Sequence, residues 1–277
     1  MIYRHNEEDR IMKKFICVLA AALLIVAAVT GCAKKESEVK QITVAVAGGF
    51  YPITYADDNG NACGYDVEVM KAVDELLPQY SFKFEITDKE TMNVGVEAGT
   101  YQMGINSLFK TPERQEVYDM TENPMGYTPV GLIQREDDDI RSLSQAAAEK
   151  RTVYPVLATS GIRLIMEQWN AEHPDEAIPY ELRTELNYAD LFDGIRLGSY
   201  DFAVDLITVF NLQSEEAVHG LKISEPIDVI PTYPIIHKGE GEFKNDVEKA
   251  LEELKNNGTL SKLSLDTFGY DLFEQAK

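Results

Sequence analysis

"ITVAVAG" (Ile42–Gly48), "DVEVMKAVDELLPQY" (Asp66–Tyr80) and "FKFEI" (Phe82–Ile86) follow one another within 45 residues. The first alternates β-branched and small residues, as a strand does. In the second, Val67, Met70, Val73 and Leu77 fall on one helical face, and Pro78 ends the pattern. The third alternates again, with Phe82, Phe84 and Ile86 on one side. Strand, helix, strand at this spacing is a βαβ unit, whose crossover is right-handed in a parallel or mixed sheet. The chain is therefore expected to be α/β. Between the first two pieces, "FYPITYADDNGNACG" reads as a long loop, punctuated by Pro52 and the Asn59-Gly60 pair.

The same grammar starts again downstream. "GYTPVGLIQR" (126–135) is strand-like and runs into the charged "EDDDIR". "RTVYPVLAT" (151–159) reads as a strand, "GIRLIMEQWNAEH" (161–173) as a helix, and "YADLFDGIRLGSYDFAVDLI" (188–207) as a helix followed by a strand. Near the end, Phe243, Val247, Ala250, Leu251 and Leu254 form a helical stripe, with Gly258 past its last turn. Two short helical segments close the chain.

The amino-terminal stretch belongs to a different account. Lys13 and Lys14 precede an apolar run from Phe15 to Val29, and "TGCAKK" follows. That is the pattern of a secretory signal, expected over residues 1–31. A plain membrane anchor is the competing reading, but the run is short of the roughly 20 residues a spanning helix needs. "VTGC" resembles the bacterial lipoprotein box, which implies cleavage before Cys32 and a lipid on its thiol. The stretch "MIYRHNEEDRI" ahead of Met12 does not fit a signal and reads as a mis-assigned start. Residues 32–41, including "AKKESEVK", suit a flexible tether. With Cys17 in the signal and Cys32 lipidated, Cys63 stands alone and no internal disulfide is expected.

Across 277 residues the chain has 47 acidic and 26 basic side chains, a net charge of −21. Such a surface repels nucleic acid and anionic headgroups, and it makes any cation at a binding site conspicuous. Signatures of catalysis are missing. His173, His219 and His237 have no ligand spacing to one another or to Cys or carboxylates, so no metal is expected. There is no G-x-S-x-G elbow, no phosphate loop and no G-x-G-x-x-G, and Cys63 has no nearby histidine in sequence. "EDDD" (136–139) lacks the alternation of a calcium loop and reads as solvated surface. Neither enzyme activity nor a cofactor is expected.

"SLFKTPER" (Ser107–Arg114) stands out against this background, because an acidic chain places an arginine at the mouth of an apolar strand. The competing reading is an ion pair with Glu113 or Asp119. In order along the chain, "FYPITYADDNGNACGYDVEVMKAV", "LFKTPERQEVYDMTENP", "LATSG" and "LGSYDFAVD" resemble the family 3 extracellular solute-binding proteins, the polar-amino-acid receptors of bacterial ABC importers. The resemblance spans residues 42–272. It implies a type II periplasmic-binding-protein fold, with one lobe from residues 42–127 and 233–277 and a second from 128–232. The lobes would be joined by two crossing strands near "GYTPVG" and "PTYPII".

The resemblance also implies a site. Arg114 of Thr-x-x-Arg would clamp the ligand's α-carboxylate, which suits a guanidinium fork. Ser107 would support that carboxylate, Phe50 would pack on the ligand side chain or else serve as a core residue, and Thr159 and Ser160 would close from the second lobe. Phe109 stands where the family has a Ser or Thr, exchanging a hydroxyl for an aromatic wall. The family's ammonium-binding aspartate falls on Leu206, with Asp205 one residue earlier. A one-residue shift in a strand turns a side chain to the other face, so either a bulge restores Asp205 or the ammonium is held otherwise. Lys89 or Glu90 stands where an aromatic often flanks the ligand, and Ala47 where receptors for basic amino acids carry an acid. A strongly cationic ligand is therefore disfavoured, and "KTPER" with Gln102 points faintly to the cystine-receptor branch. The expected partners are an amino acid, an ABC permease and the membrane through Cys32, with no nucleic acid and a monomeric chain. Two other readings use the same fold: a secreted dehydratase of prephenate-like acids, with Glu90 or Asp205 as general acid, and an extracytoplasmic sensor or adhesin.

Overall fold

The structure, a computed structural model, describes residues 39–158 and 160–276. The expected signal, the lipidation site Cys32 and the cleft residue Thr159 lie outside the described residues. Twelve strands are present among them: β1 (Lys40–Ala47), β2 (Tyr55–Ala56), β3 (Ala62–Cys63), β4 (Tyr80–Thr87), β5 (Met103–Leu108), β6 (Asp119–Met120), β7 (Gly126–Arg135), β8 (Val156–Leu157), β9 (Leu182–Arg183), β10 (Phe202–Leu206), β11 (Leu221–Ile223) and β12 (Asp228–Ile236).

The main sheet runs β10-β7-β12-β5-β1-β4, with β11 on β7 and β6 on β12. β1 is parallel to both β4 and β5, so the βαβ expectation holds. Ile42, Val44 and Val46 meet Met70 and Val73 of the helix Tyr65–Leu76 and Val247 and Leu251 of the helix Gly241–Asn256. Ala45 and Ala47 face the other way, toward Met92 and Val96 of the helix Lys89–Glu97. Both faces of β1 are covered, which is why it reads as a near-continuous apolar run. That strand begins at Lys40, inside the stretch expected as tether; Lys40 and Gln41 pair with Tyr80 and Ser81 but are exposed, so no apolar pattern marks them.

The second half repeats the layering. Phe202 and Val204 of β10 join Leu132, Ile162 and Met166 on one face, while Ala203 joins Leu191, Phe192 and Ile195 on the other. The strand expected over 151–159 is reduced to Val156–Leu157 and a single bridge from Val153 to Phe202. Pro155 between them has no N–H to give a ladder. The expected loop over 50–64 carries the two-residue pairing of β2 with β3.

β7 and β12 connect the halves. β12 pairs with β7 over Asp228–Thr232, then with β5 from Tyr233 to Ile236. β7 pairs with β12 over Gly126–Val130 and with β10 over Val130–Gln134. These are the two crossing strands expected near "GYTPVG" and "PTYPII".

Candidate binding site

Thr-x-x-Arg is built by a short helix, Pro112–Val117. The Thr111 hydroxyl caps it by accepting from the Arg114 N–H at 3.3 Å, and Pro112 occupies the first turn, where a missing N–H costs nothing. The cap places Arg114 half-buried, with Nη1 donating to the Phe109 carbonyl at 2.6 Å. It makes no salt bridge among the described residues, so the competing ion-pair reading does not apply. Burial pulls its pKa down, and only Tyr118 and its exposed neighbour Glu113 counter that.

Phe109 reaches from the end of β5 to the second half. Its ring packs on the Ile162 and Met166 cluster, so close to Gly161 that a Cβ there would lie 2.7 Å from it. Gly161 opens the helix Gly161–Glu172. The Ser160 hydroxyl caps that helix, accepting from Arg163 N–H at 3.4 Å and donating to the Leu157 carbonyl at 2.7 Å.

Phe109, Ser160, Gly161, Tyr154, Tyr188, Asp205 and Lys89 all line one cavity of about 320 Å³. Two larger grooves, of about 520 and 690 Å³, are lined by the second half alone and lack a contribution from the β5 side. The smaller cavity is therefore the candidate site, since both halves build it.

Asp205 reaches this cavity without a bulge. β10 pairs with β7 in unbroken register through Asp205↔Gly131 and Leu206↔Val130. Asp205 shares the face of Ala203, and because it sits at the strand's end, both it and Leu206 border the cavity. The carboxylate is 6% exposed; Oδ1 accepts from the Leu206 N–H at 2.7 Å, while Oδ2 has no hydrogen-bond partner among the described residues. Burial raises its pKa to about 6, with the Leu206 N–H and the nearby Tyr188 phenol pulling the other way. The phenol is raised in turn, by burial and then by the Asp205 charge.

Arg114, Ser107 and Phe50 do not line the cavity; Arg114 is held on the carbonyl of Phe109, which does. Ser107 has φ of 48°, its N–H donates to Asp66 Oδ2 at 2.7 Å, and its hydroxyl lies 2.6 Å from that of Thr128 on β7. Its polar groups are engaged in bracing β5 against the connecting strand. Asp66 is 1% exposed, Oδ1 has no partner, and burial lifts its pKa to about 7. Phe50 is half-buried and bridges to Thr54 in the loop ahead of β2. Lys89, one of the two residues expected where an aromatic often flanks the ligand, does line the cavity, whereas Tyr188 went unassigned because it sits in no motif. Among the described residues no cluster of His, Cys, Asp and Glu is arranged to hold a metal.

An α/β chain whose two halves share a pair of connecting strands and a cavity with opposed, unpaired charges is a ligand-binding receptor of the two-lobed type. Residues 42–270 match the bacterial extracellular solute-binding proteins, family 3, and the chain belongs to that family. It is 26% identical to the L-cystine-binding protein TcyK of Bacillus subtilis, over 93% of this chain and 96% of that one. It is 29% identical to the L-cystine-binding protein TcyA of the same organism, covering 83% and 82%. The unliganded, open L-cystine solute receptor of Neisseria gonorrhoeae superposes with a TM-score of 0.59 at 26% identity, covering 85% and 95%.

Proposed function

We propose that this chain is the amino-acid-capturing receptor of an ABC importer, anchored through a lipid on Cys32 and acting by binding without turnover. One observation carries the reading: a cavity that both halves line holds a buried carboxylate oxygen without a partner, and an arginine without an ion pair is held on the backbone carbonyl of Phe109, one of its lining residues. An α-amino acid presents the reciprocal charges, a carboxylate for Arg114 and an ammonium for Asp205. Each charge-assisted bond contributes about 1.5 to 3 kcal/mol, and desolvation makes a missing partner more costly. Ser160, and Thr159 with it, would close over the carboxylate, while Phe109 walls the ligand off from water. The cystine-binding relatives favour a polar cargo of that kind.

Closure would move residues 128–232 against 42–127 and 233–277 by bending at β7 and β12, and the permease would read the closed form. The test is a thermal-shift and calorimetric screen of the purified protein against the amino acids and cystine, with Arg114→Ala alongside. A ligand that binds only the folded state raises Tm. A shift with an amino acid that Arg114→Ala abolishes supports the receptor; turnover of a prephenate-like acid would instead favour the dehydratase reading. Mass spectrometry of the membrane-extracted protein tests the lipid on Cys32.

A further inference from the structure

The proposed contacts of Arg114 and Asp205 use one cation and one anion, and they leave Lys89 unaccounted for. Lys89 is the first residue of the helix Lys89–Glu97 and, with Phe109, one of the two residues lining the cavity from the β5 side. Its surface is exposed as a whole, yet its amine is partly desolvated and its pKa is lowered by that burial and then by Arg114. No acidic side chain acts on it to offset that repulsion.

One cation therefore lines the cavity and a second stands beside it, held on the carbonyl of the lining residue Phe109. A single α-carboxylate balances one. Two like charges facing a largely apolar wall raise each other's cost, and a second anion on the ligand relieves it. The rest of the lining is mostly aliphatic, with Tyr154, Ser160 and Tyr188 its hydroxyl groups and Asp205 its sole acid. The wall thus has no second acid for a cationic side chain once Asp205 holds the α-ammonium.

We propose that Lys89 binds a second carboxylate on the ligand, so that the receptor takes α-amino acids carrying two carboxyl groups and one ammonium, such as glutamate or aspartate. This rests on the amino-acid-receptor reading. Lys89 would be a specificity residue, distinct from Arg114, which serves every amino acid alike.

Calorimetric titration of the purified protein, wild type and Lys89→Met, tests it with L-glutamate and L-aspartate against the one-carboxylate L-glutamine and L-methionine. The expected result is tighter wild-type binding of a two-carboxylate ligand, weakened roughly ten- to a hundredfold in Lys89→Met, while the weaker one-carboxylate ligands are unmoved. An equal loss for both kinds would place Lys89 on the α-carboxylate and overturn the proposal, as would no loss for either, or a wild-type preference for one-carboxylate ligands. If binding depends on Arg114 but not on Lys89, this inference alone fails. If no amino acid binds the wild type, the receptor reading fails and this inference goes with it.

Discussion

Arg114 donates to the Phe109 carbonyl at 2.6 Å, five residues back, and meets no carboxylate. One nitrogen of the fork is held by the loop it springs from, which orients the guanidinium while leaving its other donors for a ligand. The Phe109 ring meanwhile packs across on Gly161, so the residue that steadies the cation also closes the cavity's apolar side.

Because Arg114 supports no ion pair of the fold, its removal should cost binding and not stability. Arg114→Met is expected to weaken amino-acid affinity by about a hundredfold, two charge-assisted bonds being lost, with the ligand-free Tm almost unchanged. Calorimetry and thermal denaturation on the same preparations check this. A large fall in the ligand-free Tm would mean the guanidinium holds the fold.

Asp205 makes binding pH-dependent. Burial holds its pKa near 6, so the carboxylate that would meet the ligand's ammonium is charged above that pH and protonated below it. Affinity is expected to be flat above about pH 7 and to fall toward tenfold per unit below pH 6, as the proton competes with the ammonium. In Asp205→Asn the affinity should be weaker throughout and lose that dependence. Titrations between pH 5 and pH 8 in one buffer series would show it.

The two α/β halves were legible because their strands are covered on both faces or alternate cleanly, as in β1, β4 and β10. Arg114 stands out for a different reason, charge of the wrong sign at the end of an apolar strand, but no local pattern shows that it sits on the Phe109 carbonyl and outside the cavity lining. Asp205 could not be placed by counting, because the twofold alternation that turns it away from Leu206 matters little at a strand's last residues, where both side chains border the same space. The helix carrying Lys89 left only Met92 and Val96 as its buried stripe, too thin a pattern to mark it. That Phe109 reaches Gly161 depends on two segments 52 positions apart meeting across the connecting strands, which no local pattern encodes.

The contact of Phe109 with Gly161 should be measurable by substitution. A Cβ at residue 161 would meet the ring at 2.7 Å and the Ile230 side chain at 3.2 Å, so Gly161→Ala forces one of them to move. Overpacking of this kind costs about 1 to 3 kcal/mol. Gly161→Ala is expected to lower Tm, and the loss should shrink in a Phe109→Ala background, giving a coupling energy in the double-mutant cycle. No coupling would mean that the ring does not rest on Gly161 in solution.

Asp66 gives the fold a pH dependence of opposite character to that of a surface carboxylate. Burial raises its pKa from the usual 3.8 to about 7, against the Ser107 N–H that pulls it down. The folded state therefore keeps a proton that the unfolded chain has released, and stability falls as pH rises through the window from about 4 to 7. Roughly 1.4 kcal/mol is lost per pH unit within that window, levelling off above it. Asp205 adds to the slope below about pH 6, so the interval from pH 6 to 7.5 belongs mainly to Asp66. There the wild-type Tm is expected to decline, while Asp66→Asn, whose side-chain oxygen can still accept from Ser107, stays level. The comparison reads the slope and not the absolute Tm, because the new amide donors replace an unpartnered oxygen and shift stability by their own amount. A wild-type Tm that rises across the interval would mean that Asp66 is ionised in the folded protein and paired with a group other than the Ser107 N–H.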